Sequence, residues 1–208
     1  LADHIEGSAE KPVVGIGHSM GGILTFMAAY HKPQLFSEII ILDPPLVYGP
    51  LTLPFFLVKK LRVIDRTKLV SQTRKRRTRW ANEQEAEAYF KGIPLFHRFD
   101  PDCLRDYIQY GTTRVETGVR LSFDVNIEAS IYRTAPHNMT CLRKRVGVPG
   151  AVVLGENSYM AGGMLRRFAR RHGLYLERFK DGSHLFPLEY PERTALLVLE
   201  TIQRLAAY

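Results

Sequence analysis

The pentapeptide Gly-His-Ser-Met-Gly, from Gly17 to Gly21, constrains the fold of this chain more than any other stretch. A short apolar run precedes it at residues 13–16, and residues 22–29 follow with helical composition. Strand, sharp turn and helix, with Ser19 at the tip, is the geometry of a nucleophile elbow. The two glycines suit it because side chains in so tight a turn would collide with the neighbouring strand and helix. We therefore predict that Ser19 projects from the turn, where a helix N-terminus favours developing negative charge.

A serine becomes a nucleophile only with a base, and that base needs an orienting acid. His184 is the candidate base because it follows a predicted strand at residues 174–179 and a turn at residues 180–183. His137 is less suitable, since it lies in a proline-containing loop, and His18 is predicted to line the pocket or pack beneath it. The other histidines lie on or beside polar helical stretches and are predicted to be solvated: His4, His31, His97 and His172.

Two motifs resemble the α/β-hydrolase family. They are Gly-His-Ser-Met-Gly-Gly at residues 17–22 and Gly-Ser-His-Leu-Phe-Pro-Leu-Glu-Tyr-Pro-Glu at residues 182–192. The resemblance covers residues 11–43 and residues 148–208, a little under half of the chain. It implies an α/β fold, with a mostly parallel sheet, flanking helices and an inserted helical cap.

The same resemblance implies roles for individual residues. The order along the chain is nucleophile, acid and histidine, which places Ser19 and His184 in the first and last roles. The backbone N–H of Met20 would be one donor to the oxyanion. The second donor would come from a loop in an N-terminal part of the fold.

The acid of this arrangement is left open by the sequence. The family usually carries it after the strand that here is predicted at residues 151–154, but Ser158 stands at that position. Asp43 is the favoured replacement, because it ends the earlier predicted strand and some family members place the acid there. Glu156 is the alternative, because its longer side chain could reach the histidine from two positions upstream.

The predicted domains are a hydrolase core at residues 1–45 and 137–208 and a helical cap, or lid, at residues 46–136. The core would hold four parallel strands, near residues 12–17, 38–43, 149–154 and 174–179. Only about a dozen residues precede the first of these strands. The four strands that the family places earlier would need about 70–90 residues. We therefore expect N-terminal strands to be missing, and the 208-residue chain alone to be poorly soluble and inactive.

The middle of the chain is predicted to be helical, and it carries the excess positive charge. The predicted helices are residues 55–79, 83–90 with an Asn82 cap, 102–110 and 126–132. Residues 59–79 hold ten Lys or Arg and one acid, whereas the whole chain has a net charge of +8. A solvated helix face explains this, and the alternative is peripheral contact of residues 53–79 with an anionic membrane. Nucleic-acid binding is not favoured, because nothing there supplies base readout.

Several other classes of protein are excluded by what the sequence lacks. Cys103 and Cys141 are too few for a disulfide framework, so free thiols and a cytoplasmic location are expected. The sequence shows no apolar run of membrane-spanning length, no metal-ligand spacing and no dinucleotide or phosphate loop, so no metal or cofactor is expected. The oligomeric state is not determined by these patterns.

These observations together predict a lipase-like serine hydrolase. It would cleave an ester-like bond of a small or lipid-like substrate through an acyl-enzyme, with Ser19, His184 and an acid. Thioesters, lactones and carbon–carbon bonds are not separated from esters by the motif. The alternative is a non-catalytic ligand-binding protein of the same fold, which the non-standard acid slightly favours.

Overall fold

Helices and strands alternate at both ends of the chain, and a mixed segment separates them. The computed structural model describes residues 1–8, 10–61, 63–137, 139–160 and 162–207. The elements in chain order are α1 (Ala2–Ser8), β1 (Val13–His18), α2 (Met20–His31), β2 (Phe36–Leu42), α3 (Thr52–Lys60), α4 (Lys68–Arg74), β3 (Arg79–Trp80), α5 (Glu83–Lys91), α6 (Pro101–Gly111), β4 (Thr112–Val115), β5 (Gly118–Leu121), α7 (Val125–Thr134), β6 (Gly150–Gly155), α8 (Gly162–His172), β7 (Tyr175–Phe179), α9 (Phe186–Glu189) and α10 (Pro191–Ala206).

The chain divides into two compact units. The first, which we call the sheet unit, consists of Leu1–Leu53, Pro136–Pro187 and Glu192–Tyr208. The second, the inserted unit, consists of Pro54–Ala135 and Leu188–Pro191. The interpretation of the inserted segment as a cap over an active site stays a prediction.

The sheet unit is built on four parallel strands in the order β1-β2-β6-β7. This confirms the α/β class and the mostly parallel sheet. In β2, Ile39, Ile40 and Ile41 are all buried, so both faces of the strand are covered. Because all four strands run in one direction, the residues that follow β1, β2, β6 and β7 gather at one edge of the sheet.

Helices α2 and α8 contribute to the core of the sheet unit through large apolar side chains. Phe26 of α2 contacts Phe168 of α8 edge to face, with 4.6 Å between ring centroids. Leu165, Phe168 and His172 lie at helical spacing on one face of α8 and are buried.

The prediction that His172 is solvated is therefore wrong. His172 is only 2 % exposed, and its ring centroid lies 4.8 Å from those of both Phe26 and Phe168. The basic residues around it in the sequence suggested a polar helix end. Its position on the apolar face of α8 places it in the core instead.

Burial of His172 predicts a loss of stability in acid. Burial lowers the pKa of His172 from 6.5 to about 4. The unfolded chain therefore binds more protons below pH 6.5, so the free energy of unfolding falls as the pH drops from 6.5 towards 4. The loss due to this residue should be about 3 kcal/mol at pH 4. The free energy of unfolding is to be measured by urea titration at pH 7, 5.5 and 4. The loss due to His172 should be present in the parent protein and absent in His172→Phe.

A matched variant separates this effect from general acid unfolding. His97 is exposed, so His97→Phe should leave the pH dependence of the parent protein unchanged. Equal acid sensitivity in His172→Phe and the parent would contradict the assignment.

The inserted unit contains helices and a small antiparallel sheet with the order β3-β5-β4. The prediction of one long helix over residues 55–79 is wrong, because the chain there forms α3, α4 and then β3. Pairing of Trp80 with Val119 requires extended backbone at this point, and the Trp80 indole is buried against Tyr89 and Phe90. The predicted cap of α5 is confirmed, since the Asn82 side chain accepts a hydrogen bond of 2.8 Å from the Glu85 N–H.

Part of the basic segment is neutralised within the inserted unit. Arg76 forms an ion pair of 2.8 Å with Glu128, and Arg77 forms one of 2.6 Å with Glu85. Arg62 lies outside the described residues. Contact of residues 53–79 with an anionic membrane stays a prediction.

Candidate active site

The turn between β1 and α2 has the strained geometry of an elbow. Ser19 adopts φ 53° and ψ −124°, a left-handed φ that is uncommon for a residue with a side chain. The Ser19 N–H donates a 2.8 Å hydrogen bond to the Leu42 carbonyl, which anchors the turn to β2. Strain held in this way presents the serine hydroxyl at the edge of the sheet where the strands end.

The glycines of the turn differ in what they permit. A Cβ atom on Gly17 would overlap the backbone of Gly21, and one on Gly22 would lie 2.7 Å from Ile41 Cγ2. Apart from its chain neighbours and the backbone of its own helix, no atom of the described residues lies within 4 Å of a Cβ placed on Gly21, so the expected collision is absent there. The tight approach of strand and helix therefore depends on Gly17 and Gly22, and the steric argument for Gly21 is wrong.

A continuous line of hydrogen bonds joins Ser19, His184 and Asp43. Ser19 Oγ lies 3.0 Å from His184 Nε2, and His184 Nδ1 lies 2.6 Å from Asp43 Oδ2. The Asp43 side chain is fully buried, and that of His184 is 14 % exposed. With Asp43 as the carboxylate, Nδ1 carries the proton and donates, which leaves Nε2 to accept from the serine hydroxyl.

The buried Asp43 carboxylate has further donors besides His184. The Gly155 N–H donates to Oδ1 at 2.8 Å, and the Ser158 hydroxyl donates to Oδ2 at 2.6 Å. Asp43 itself has φ 44°, and its N–H donates to the Val153 carbonyl at 2.8 Å. Hydrogen bonds of this kind offset the cost of burying a charge.

Ser158 has a supporting position that the sequence analysis did not identify. In the sequence, Ser158 stands where the family usually carries an acid. Its place in the chain, after β6, puts it beside the end of β2, because these two strands are neighbours in the sheet. Its hydroxyl is thus within reach of Asp43.

The Glu156 carboxylate does not contact the His184 ring in the described structure; it contacts the backbone of Asp181. Its residue is exposed, and its Oε2 accepts a 3.1 Å hydrogen bond from the Asp181 N–H. The Glu156 N–H donates to the Phe179 carbonyl at 2.9 Å. The structure therefore brings Asp43, and not Glu156, to His184 Nδ1.

Two aromatic rings flank the His184 imidazole. His18 Nε2 lies 2.7 Å from the His184 carbonyl oxygen, and the two rings are 5.1 Å apart. Burial lowers the pKa of His18. Because a carbonyl oxygen can only accept, Nε2 of His18 carries the hydrogen and donates to it. Tyr159, which the sequence analysis did not single out, has its ring centroid 5.2 Å from that of His184.

Met20 begins α2, directly after the strained serine. Within the ranges that the structure describes, its backbone N–H makes no hydrogen bond to another part of the protein. A donor at a helix N-terminus next to the nucleophile is placed to bind a negatively charged oxygen. Its assignment to an oxyanion hole stays a prediction.

Comparison with known proteins identifies the family. A model of the alpha/beta hydrolase family matches residues 1–195. "Abhydrolase domain-containing protein AFT2-1" of Alternaria alternata is 32 % identical, with 94 % of this chain and 84 % of that protein covered. The chain belongs to the alpha/beta hydrolase family.

A second relative is similar over a shorter region. "Type I acyl-CoA thioesterase mpaH" of Penicillium brevicompactum is 31 % identical over 104 residues, which are 50 % of this chain. The matched region covers only 22 % of the thioesterase, less than a quarter of that relative's length.

Solved structures agree on the fold. E-2-(acetamidomethylene)succinate hydrolase superposes with a TM-score of 0.75 at 20 % identity, covering 97 % of this chain and 72 % of that one. A thioesterase domain from the curacin biosynthetic pathway superposes with a TM-score of 0.68 at 18 % identity, covering 95 % and 69 %.

Two further features of the described residues bear on a metal site and on a membrane-spanning helix. Among the described residues, no group of three or more His, Cys, Asp or Glu is arranged to hold a metal ion. No helix in that part of the chain is long and apolar enough to cross a membrane.

Proposed function

We propose that this chain carries the active site of a serine hydrolase that cleaves ester or thioester bonds through an acyl-enzyme. The observation that supports this most is the hydrogen-bonded line from Ser19 Oγ through His184 to Asp43, with distances of 3.0 and 2.6 Å. A nucleophile, a base and an orienting acid in this order are what acyl transfer requires.

In the proposed reaction, Ser19 Oγ attacks the carbonyl carbon while His184 Nε2 takes the hydroxyl proton. The carbonyl oxygen becomes an oxyanion, to which the Met20 N–H donates. His184 then gives its proton to the leaving alcohol or thiol, and the acyl group remains on Ser19. A water molecule that loses a proton to His184 attacks this ester, and the acid product leaves as Ser19 regains its hydrogen.

Asp43 acts in this scheme without changing its own protonation. Its carboxylate accepts from Nδ1–H, which keeps His184 in the tautomer whose Nε2 can accept a proton. It also stabilises the positive charge of the imidazolium that forms in each half of the reaction. The hydroxyl of Ser158 and the N–H of Gly155 hold the carboxylate in place.

The inclusion of thioesters rests on relatives rather than on the site. A relative named as an acyl-CoA thioesterase is 31 % identical over 104 residues, and a structural neighbour named as a thioesterase domain shares the fold. The leaving thiol of a thioester needs less protonation than an alcohol, so a site able to cleave esters is chemically able to cleave thioesters.

A fluorophosphonate probe tests this proposal in the full-length protein. An activated serine forms a covalent bond with the phosphorus, and we expect one probe per chain, attached to Ser19 by peptide mass spectrometry. Ser19→Ala should abolish labelling, and the matched variant Ser130→Ala should retain it. Folded protein that takes up no probe would contradict the proposal and support the non-catalytic binding protein instead.

A further inference from the structure

Five arginines line one groove of about 500 Å³ on the sheet unit, together with Tyr48. Three of them lie on α8 and two on the loop before β6. The residues are Arg143, Arg145, Arg167, Arg170 and Arg171, and all five are exposed. We call this the arginine groove.

The arginine groove has no acidic counterpart in the described part of the chain. None of its guanidinium groups lies within 4.0 Å of an Asp or Glu carboxylate there. Elsewhere in the protein, arginines form such pairs, as Arg204 does with Glu177. Five like charges around one groove repel one another, and a bound anion would relieve that repulsion.

The ordinary structural role of basic residues accounts for only part of this cluster. Arg170 and Arg171 lie in the last turn of α8, where positive charge stabilises the helix dipole. Arg167 lies one turn earlier on the same face, at the spacing where like charges are unfavourable. Arg143 and Arg145 do not belong to the helix.

Two contacts hold parts of the groove in place. An Arg171 guanidinium N–H donates to the carbonyl oxygen of Arg143, which ties the helix to the loop. Tyr48 packs edge to face on the buried Phe168, with 5.7 Å between ring centroids. Contacts of this kind reduce the entropy that these two side chains lose when a ligand binds.

The arginine groove is distinct from the Ser19 site. Arg143 and Arg145 precede the first residue of β6, whereas Ser19, Asp43 and His184 follow the last residues of parallel strands. Because the strands are parallel, the loop before β6 lies at the opposite edge of the sheet from the serine.

We propose that the arginine groove binds a small soluble molecule that carries two or more phosphate groups. Guanidinium groups bind phosphate oxygens through paired hydrogen bonds, and several of them together favour a multiply charged ligand. Its volume of about 500 Å³ is within the range of small-molecule sites. This assignment is independent of the proposed hydrolase function.

Calorimetric titration of the full-length protein with inorganic tripolyphosphate tests the proposal. We expect saturable binding of one tripolyphosphate per chain, with inorganic phosphate binding at least tenfold more weakly because it reaches fewer arginines. Arg167→Gln with Arg170→Gln should weaken tripolyphosphate binding at least tenfold. Arg143→Gln with Arg145→Gln should weaken it similarly from the loop side, and it leaves the Arg143 carbonyl in place.

A matched charge control is available in the inserted unit. Arg74→Gln with Arg79→Gln removes the same two charges elsewhere and should change tripolyphosphate affinity less than twofold. Equal weakening by this control, or the absence of saturable binding to a parent protein with an intact thermal transition, would overturn the proposal. Binding to vesicles containing phosphatidylinositol bisphosphate, or to duplex DNA, without binding to tripolyphosphate would overturn it as well.

Discussion

Replacing Ser19 by alanine should lower kcat by about 10⁴- to 10⁶-fold, because removal of the nucleophile leaves only binding and oxyanion stabilisation. The full-length protein is to be assayed against nitrophenyl esters and acyl thioesters of varied chain length. The change to alanine removes one partly buried oxygen and its hydrogen bond to His184, and no apolar packing, so the thermal transition should stay within a few degrees of the parent protein. KM should change little, since the hydroxyl contributes mainly in the transition state.

Ser130→Ala is the matched control for this prediction. Ser130 lies on α7, in the inserted unit. Its hydroxyl donates a 2.8 Å hydrogen bond to the Asn126 carbonyl of the same helix. Its loss should leave kcat within about twofold. A Ser19→Ala protein that keeps more than a tenth of the parent rate would refute Ser19 as the nucleophile.

Asp43→Asn should lower kcat by about 10⁴-fold, the loss expected when the orienting acid of a triad becomes an amide. The asparagine amide would donate to His184 Nδ1, so the imidazole proton would move to Nε2. A protonated Nε2 cannot accept the serine proton. Glu156→Gln should change kcat less than about threefold, because Glu156 contacts the Asp181 backbone and not the imidazole.

The comparison of these two variants decides the acid. A larger loss in Glu156→Gln than in Asp43→Asn would contradict the assignment drawn from the geometry. Ser158→Ala should have an effect smaller than that of Asp43→Asn, because it removes one hydrogen bond to the Asp43 carboxylate and leaves the carboxylate itself in place. It should lower kcat about tenfold, the value of one such hydrogen bond in a buried site.

The fold of the sheet unit was predictable because its elements are encoded locally. The apolar run of β2 and the motif around Ser19 each specify a strand or a turn within a few residues. The small antiparallel sheet of the inserted unit was not predicted. Its strand β3 has two residues, and its position depends on pairing with Val119, about forty residues away.

His172 shows the same limit at the level of one side chain. The two residues before it in the sequence are arginines, which favour a solvated position. Its partners in space are Phe26 and Phe168, which come from packing between α2 and α8. Sequence patterns around a single histidine do not contain that packing.

The sequence by itself determined the α/β class, the elbow at Ser19 and the choice of His184 as the candidate base, because each depends on neighbouring residues. It left Asp43 and Glu156 as alternatives and gave no role to Ser158. Only the tertiary structure decided which carboxylate meets the imidazole. The physical reason is the strand order: β2 and β6 are adjacent, so Asp43 and Ser158 emerge side by side at the sheet edge that also holds His184.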